Sequence, residues 1–228
     1  QLSTRDKDGN IQRLGRSIPS WNWTRFTWIV NFGGVLWDAV KGEPTPDHPG
    51  VIEALNDLIA QVKYFGVEAL DRWSTSIGSQ GGEQNPWLAG NLTMQVDGDW
   101  TGQQIFDFHP EWEFGKDYVA AAPPPPPKAK QHGDSAVAWW SWPWVIPSVA
   151  KYPDWGWELL RFFKSPEYAA NVHAKFKEIL VQKSLMDDKR LWWPAATVAR
   201  NIVKGDRKLT TVMPMNPVAG EYGNLLGE

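Results

Sequence analysis

The clearest periodicity lies between Val51 and Tyr64, where Val51, Ile52, Leu55, Leu58, Ile59 and Val62 recur at helical spacing behind Pro49 and ahead of Gly66. Proline suits the first turn of a helix, where its missing N–H has no intrahelical partner, and glycine takes up the backbone that ends one. Trp21, Trp23, Phe26, Trp28, Ile29, Val30 and Phe32 precede Gly33-Gly34 and predict a loop entering a buried helix with a glycine stop. Helical readings also cover 101–106, 154–164, 166–180 and 196–203, with a short one at 87–90. Leu92, Met94 and Val96 alternate with Thr93, Gln95 and Asp97, which predicts a strand. Strands are also expected at 11–18, ended by Pro19, and at 137–146, the latter buried, with a short extended run at 118–122. Residues 4–10 and 80–86 carry turn chemistry, and Trp37-Asp38 and 41–49 read as loop. Strands alternating with helices, with no internal repeat, point to an α/β architecture.

Pro123 to Pro127 form a run that adopts a stiff, extended, solvated backbone, so a linker and a lobe boundary are expected near it. A chain of 228 residues can form one large domain or two small ones. The 23 basic and 26 acidic side chains leave a net charge of −3 without long blocks of one sign. That balance gives no reason to expect nucleic acid or an anionic membrane as partner. The absence of cysteine excludes disulfides, thiolate zinc sites, iron–sulfur clusters and cysteine nucleophiles. Apolar stretches such as 136–140 are far shorter than the roughly 18 residues of a membrane helix. Residues 1–10 are polar, with neither an initiator Met nor an apolar signal segment, so the chain reads as a piece of something longer.

Sixteen tryptophans make the conspicuous chemistry aromatic. An indole offers a broad apolar face that matches the C–H face of a sugar ring, while carboxylates and amides bind its hydroxyls. Trp21 and Trp23 flank Asn22 in a loop and Trp100 follows Asp97-Gly98-Asp99, so these are the first candidates for a ligand surface. Trp140 and Trp142 are weaker ones, and Trp144, beside Val145 and Ile146, reads as core. Core packing is the alternative for every one of them. Asp97 and Asp99 could be taken for a glycosidase pair, but two residues in one turn seldom face each other across a scissile bond, and turn capping or sugar hydrogen bonding is favoured. His48, His109, His132 and His173 show no metal-ligand spacing, and neither a nucleophile elbow nor a phosphate loop is present, so no metal and no cofactor are expected.

Several segments together resemble the extracellular solute-binding proteins of bacterial sugar ABC importers, the family that includes maltose-binding proteins. They are Asn31 to Asp38 with Pro44 to Gly50, Asn85 to Trp100 with its Gly-Asp-Trp turn, and Trp144 to Pro147 with Trp157 to Glu167. Pro214 to Pro217 with Glu221-Tyr222 completes the set, in the family's order and spacing. The resemblance implies a two-lobed, periplasmic-binding-protein-like α/β fold with most of the first lobe missing. Residues 1–134 would be the first part of the second lobe, 135–187 a segment of the first lobe after a hinge crossing, and 188–228 the return to the second.

The resemblance also implies function. A saccharide would bind in the interlobe cleft and pass to the membrane subunits of an importer, by a monomer that is periplasmic or extracellular and compatible with a lipid anchor on a longer protein. Trp100 falls on the family's stacking aromatic, Asp97 and Asp99 flank it, and Trp21 and Trp23 fall in a loop that reaches ligand. Trp140 stands where the family often has Gly-Gly and either adds a stacking surface or narrows the cleft. The competing readings are a glycoside hydrolase using Asp97 or Asp99, and a fragment that binds nothing.

Overall fold

In the computed structural model, residues 2–18, 22–77, 82–121, 126–132, 137–139, 144–178, 182–205 and 210–212 are described. The chain divides by backbone contact into two compact units, Gln1–Asp97 with Ala122–Trp139 and Gly205–Glu228, and Gly98–Ala121 with Trp140–Lys204. The sequence reading instead keeps 98–121 with 1–97; the contact units part them at Gly98.

The first unit opens with β1 (Thr4–Arg5) paired antiparallel to β2 (Ile11–Arg13). Asp6 closes the turn between them by accepting from the backbone N–H of Asp8 and Asn10 and from the Asn10 side chain. The Asn10 side-chain bond, then those N–H groups, hold its carboxyl below the usual range. This is the turn expected at 4–10, although the strand after it is three residues long rather than eight. Beyond β2 the chain bends at Gly15 and Arg16 and is flanked by 91–96. Leu14 N–H donates to Asn91, Thr93 N–H to Leu14, Ser17 N–H to Met94, and Val96 N–H to the Ser17 hydroxyl. The strand expected at Leu92 to Val96 is therefore one parallel bridge, Leu14 to Leu92, followed by irregular chain. Its bonds go partly to a side chain, and only Leu92 of its alternating apolar residues is buried.

Helix α1 (Asn22–Asn31) and helix α2 (Pro49–Phe65) make the main core. Phe26, Trp28, Ile29, Phe32, Leu36, Val51, Ala54 and Leu58 form one buried cluster. Between the helices, β3 (Trp37–Asp38) pairs with β4 (Glu43–Pro44), where the sequence suggested only loop. A parallel pair, β5 (Val137–Trp139) and β6 (Thr210–Val212), lies against α1. Apolar side chains are thus buried around most of α1, as befits a helix covered on more than one side. The Trp28 indole N–H donates to Asp57 on α2 at 3.0 Å, and the Arg16 guanidinium stacks over the same ring at 4.3 Å.

The first turn of α2 meets the chain just after α1 at glycines on both sides. A Cβ on Gly50 would lie 2.6 to 2.8 Å from the backbone of Gly33 and Gly34, and one on Gly34 would strike Ile29. At the same junction His48 caps α2, its Nδ1 accepting from the Gly50 N–H at 3.1 Å. Gly66, at φ 86°, ends α2 and at once begins α3 (Val67–Ser76), a helix the sequence reading missed because the glycine was taken only as a stop. Trp73, Leu70 and Ala69 of α3 pack over Ile11, Leu14 and Leu92.

In the second unit, α4 (Thr101–Phe108), α5 (Pro153–Phe163), α6 (Pro166–Phe176) and α7 (Pro194–Gly205) match four expected helices. Helix α6 is shorter than the 166–180 expected, because Lys177 takes a left-handed backbone and caps it. Residues 87–90 form turns rather than a helix. The strand expected at 137–146 is described only as β5. Trp144 is 64% exposed and Val145 is exposed too, so neither is core. Trp144 packs on Phe163 instead, with ring centroids 5.1 Å apart.

Two predictions follow from the α1–α2 junction. Gly50→Ala drives a methyl into backbone that cannot yield, and should cost about 1 to 3 kcal/mol in urea unfolding. Burial first, then the nearby His132 charge, pushes the His48 imidazole below its ordinary value, with Asp47 opposing. The unfolded chain therefore takes up a proton at this group more readily than the folded one, and the capping contribution is present above about pH 6.5 and lost as pH falls below it. His48→Asn keeps a cap without a titrating ring and should flatten the stability profile between pH 7.5 and 5.5. His48→Ala should lose about 1 kcal/mol at pH 7.5.

Candidate functional site

The chain turns at Gly98, and α4 starts at once. Thr101 N–H donates to Gly98, Gly102 N–H to Asp99 and Gln103 N–H to Trp100, at 3.2, 3.0 and 3.0 Å. Trp100 is the residue before the helix and already has helical backbone angles. Its side chain folds back over Gly98, where an added Cβ would stand 2.2 to 2.4 Å from Cζ3, Cε3 and Cη2 of the indole. A glycine at 98 is therefore the condition for this ring position. The ring stays 38% exposed, a large apolar surface at the head of a helix. Of the flanking carboxylates, Asp97 accepts from the Gln95 amide at 2.6 Å, and both Asp97 and Asp99 are half-buried. They fall in different contact units.

The other candidates divide sharply. Trp23 is the second residue of α1, which corrects the expectation that it lies in a loop: the helix begins at Asn22. Trp21, Trp140 and Trp142 lie outside the described residues. Among the described residues no group of three acidic or histidine side chains could hold a metal ion.

Two features of the site escaped the sequence reading. Gln95, read only as the polar half of an alternating pair, orients Asp97. Trp193, 93 positions after Trp100, is 8% exposed and packs its ring against Gly102 of α4. Its only sequence signal is an aromatic immediately before Pro194, the first residue of α7. Further along, His109 stacks on Trp112 at 4.2 Å, with the His109 ring 3.1 Å from the Glu111 carboxylate. The Glu111 carboxyl sits below its usual range through backbone and His109 hydrogen bonds.

The sequence pattern described as "Bacterial extracellular solute-binding protein" matches residues 2–170. The chain belongs to this family. Solute-binding proteins of this kind act outside the cytoplasm, and no helix among the described residues is long and apolar enough to cross a membrane. Among curated proteins, none matches this sequence. Two solved structures share the fold. The one titled "CpMnBP1 with Mannobiose Bound" has a TM-score of 0.73 at 17% identity, covering 99% of this chain and 55% of its own. The second, "CpMnBP1 with Mannotriose Bound", has a TM-score of 0.72 at 17% identity, covering 98% of this chain and 56% of its own. The solute-binding chain described here therefore spans a little over half the length of the structures it matches.

The geometry at Gly98 yields a direct test. Gly98→Ala should lift the Trp100 ring, raising acrylamide quenching of tryptophan fluorescence relative to the parent chain; in a Trp100→Phe background the same substitution should leave quenching unchanged.

Proposed function

We propose that this chain binds a saccharide, without transforming it, and that the ligand is passed to the membrane subunits of an importer. The observation that carries the reading is the partly exposed Trp100 indole held over Gly98 at the head of α4, with Asp97 and Asp99 flanking Gly98 in sequence. Membership of the solute-binding family supports binding as the activity, and the mannobiose and mannotriose in the matched structures support a β- or α-linked hexose oligomer as the ligand class. The ring supplies an apolar platform for one sugar face, and the carboxylates accept from hydroxyls at its edge. A cleft between lobes, with 1–134 and 188–228 in one and 135–187 in the other, belongs to the same proposal and rests on the family resemblance. Trp21, Trp23, Trp140 and Trp142 stay candidate contacts within it.

Calorimetric titration with mannobiose and mannotriose should give saturable binding that Trp100→Ala weakens about tenfold or more, the contribution of one buried aromatic face. Mannotriose recovered unchanged after long incubation would accord with a binding protein; its cleavage, lost in Asp97→Asn or Asp99→Asn, would replace this reading with a hydrolase. No heat with either sugar on folded protein would overturn saccharide binding by this chain.

A further inference from the structure

Helix α4 has eight residues, too few to hold itself in water, because nucleating a helix fixes several residues before many bonds form. Its buried positions are Gly102 and Ile105. What covers Gly102 is the indole of Trp193: a Cβ there would lie 2.3 Å from Cζ2 and 2.4 Å from Cη2 of that ring, and 3.0 Å from Cβ of Lys177. One turn on, Phe106 meets the same indole edge to face at 6.4 Å, and the Lys177 ammonium stands 4.3 Å above the Phe106 ring. Trp193 and Lys177 together form a slot into which the bare backbone of Gly102 is pressed.

The slot has its own support. Leu185 and Leu191, from the segment leading to Trp193, pack on Ala169 and Ala170 of α6. Arg190 fastens that segment, its Nη2 donating to Asp188 at 2.6 Å and its Nη1 to Glu167 and Asn171 on α6 at 3.1 and 3.0 Å. Pro194 then starts α7, and the Trp193 carbonyl accepts from the Thr197 N–H at 3.2 Å. The Trp193 Nε1–H is buried and has no partner among the described residues. The shape of the ring, and not its hydrogen-bond donor, is what α4 uses.

We infer that Trp193 is a positioning residue for the ligand platform: by filling the slot over Gly102 it fixes the first turn of α4, and with it the orientation of the Trp100 ring. The chain of cause is short. The bonds from Thr101 to Gly98, Gly102 to Asp99 and Gln103 to Trp100 tie the ring-bearing residue to the same turn whose Gly102 lies under Trp193. This inference rests on the saccharide reading for its functional consequence, and on packing alone for the positioning.

The test separates the two. The chain labelled with 5-fluorotryptophan gives one fluorine resonance for each indole, and Trp100→Phe and Trp193→Phe assign the two of interest. Trp193→Ala, and separately Gly102→Ala, should shift or broaden the Trp100 resonance and weaken mannotriose binding about tenfold. Trp193→Phe should restore both, because a ring without an N–H still fills much of the slot; it also guards against a variant that simply unfolds. An unmoved Trp100 resonance in both Gly102→Ala and Trp193→Ala would overturn the positioning role. If the resonance moves as expected while the parent chain binds no mannotriose, positioning stands and the saccharide reading fails.

Discussion

A flat ring of nine atoms can lie against a protein backbone only where no Cβ stands in the way, and the second unit is organised by that constraint. Trp100 lies across Gly98 and Trp193 lies across Gly102, four residues apart on one short segment. The two contacts do different work. The first leaves an indole partly in solvent at the head of α4, while the second buries an indole almost completely and pins the helix. Dispersion and burial reward ring-on-backbone contact only at van der Waals distance, so each glycine is as much a part of the site as the ring it carries. The first unit uses the same economy in another form: Gly34 and Gly50 let the segment after α1 lie backbone to backbone against the start of α2, beside the core that holds Trp28 and Ile29.

Polar groups then hold what the rings place. Asp57 accepts from both the Trp28 indole and the Gln61 amide, at 3.0 and 2.6 Å, so the buried indole donor of the first core is satisfied. In the second unit the Arg190 guanidinium binds Asp188, Glu167 and Asn171; hydrogen bonds hold two carboxyls below their usual ranges, that of Asp188 first through Arg190 and that of Glu167 first through Asn171 and then Arg190. These groups are exposed, and pairs of that kind contribute little to global stability. Their value is geometric: they set the path of the segment that delivers Trp193 to α4.

The α-helices other than α3 were legible in the sequence because their signals are local. Pro49 and Gly66 bracket α2, Gly33-Gly34 ends α1, and the four helices of the second unit follow apolar spacing that one face must satisfy. What was not legible depended on partners distant in sequence. The alternation at Leu92 to Val96 looked like a strand, but its neighbour at Leu14 to Ser17 offers a hydroxyl and a few carbonyls in place of a continuous ladder. Trp144 beside Val145 and Ile146 looked like core, yet its ring finds Phe163 at the surface. Of the proposed site, Trp100 and its neighbouring carboxylates were singled out because Asp-Gly-Asp-Trp is a compact signal. Trp193 was not, since nothing local marks an indole whose purpose is to cover a glycine 91 positions earlier.

Magnitudes show what the Trp100 platform can and cannot do alone. A whole aromatic side chain buries about 150 to 250 Å², so one exposed face offers roughly half of that, about 2 to 3 kcal/mol at ~25 cal/mol per Å². Micromolar affinity needs about 8 kcal/mol. Hydrogen bonds to charged groups, at about 1.5 to 3 kcal/mol each, are the natural source of the difference. Asp97 and Asp99 are the charged groups nearest in sequence to the ring. Asp97 accepts from the Gln95 amide, which orients its carboxylate. In the proposed reading, stacking on Trp100 selects the ligand's shape and hydrogen bonds to Asp97 and Asp99 supply the remaining free energy; neither is sufficient without the other.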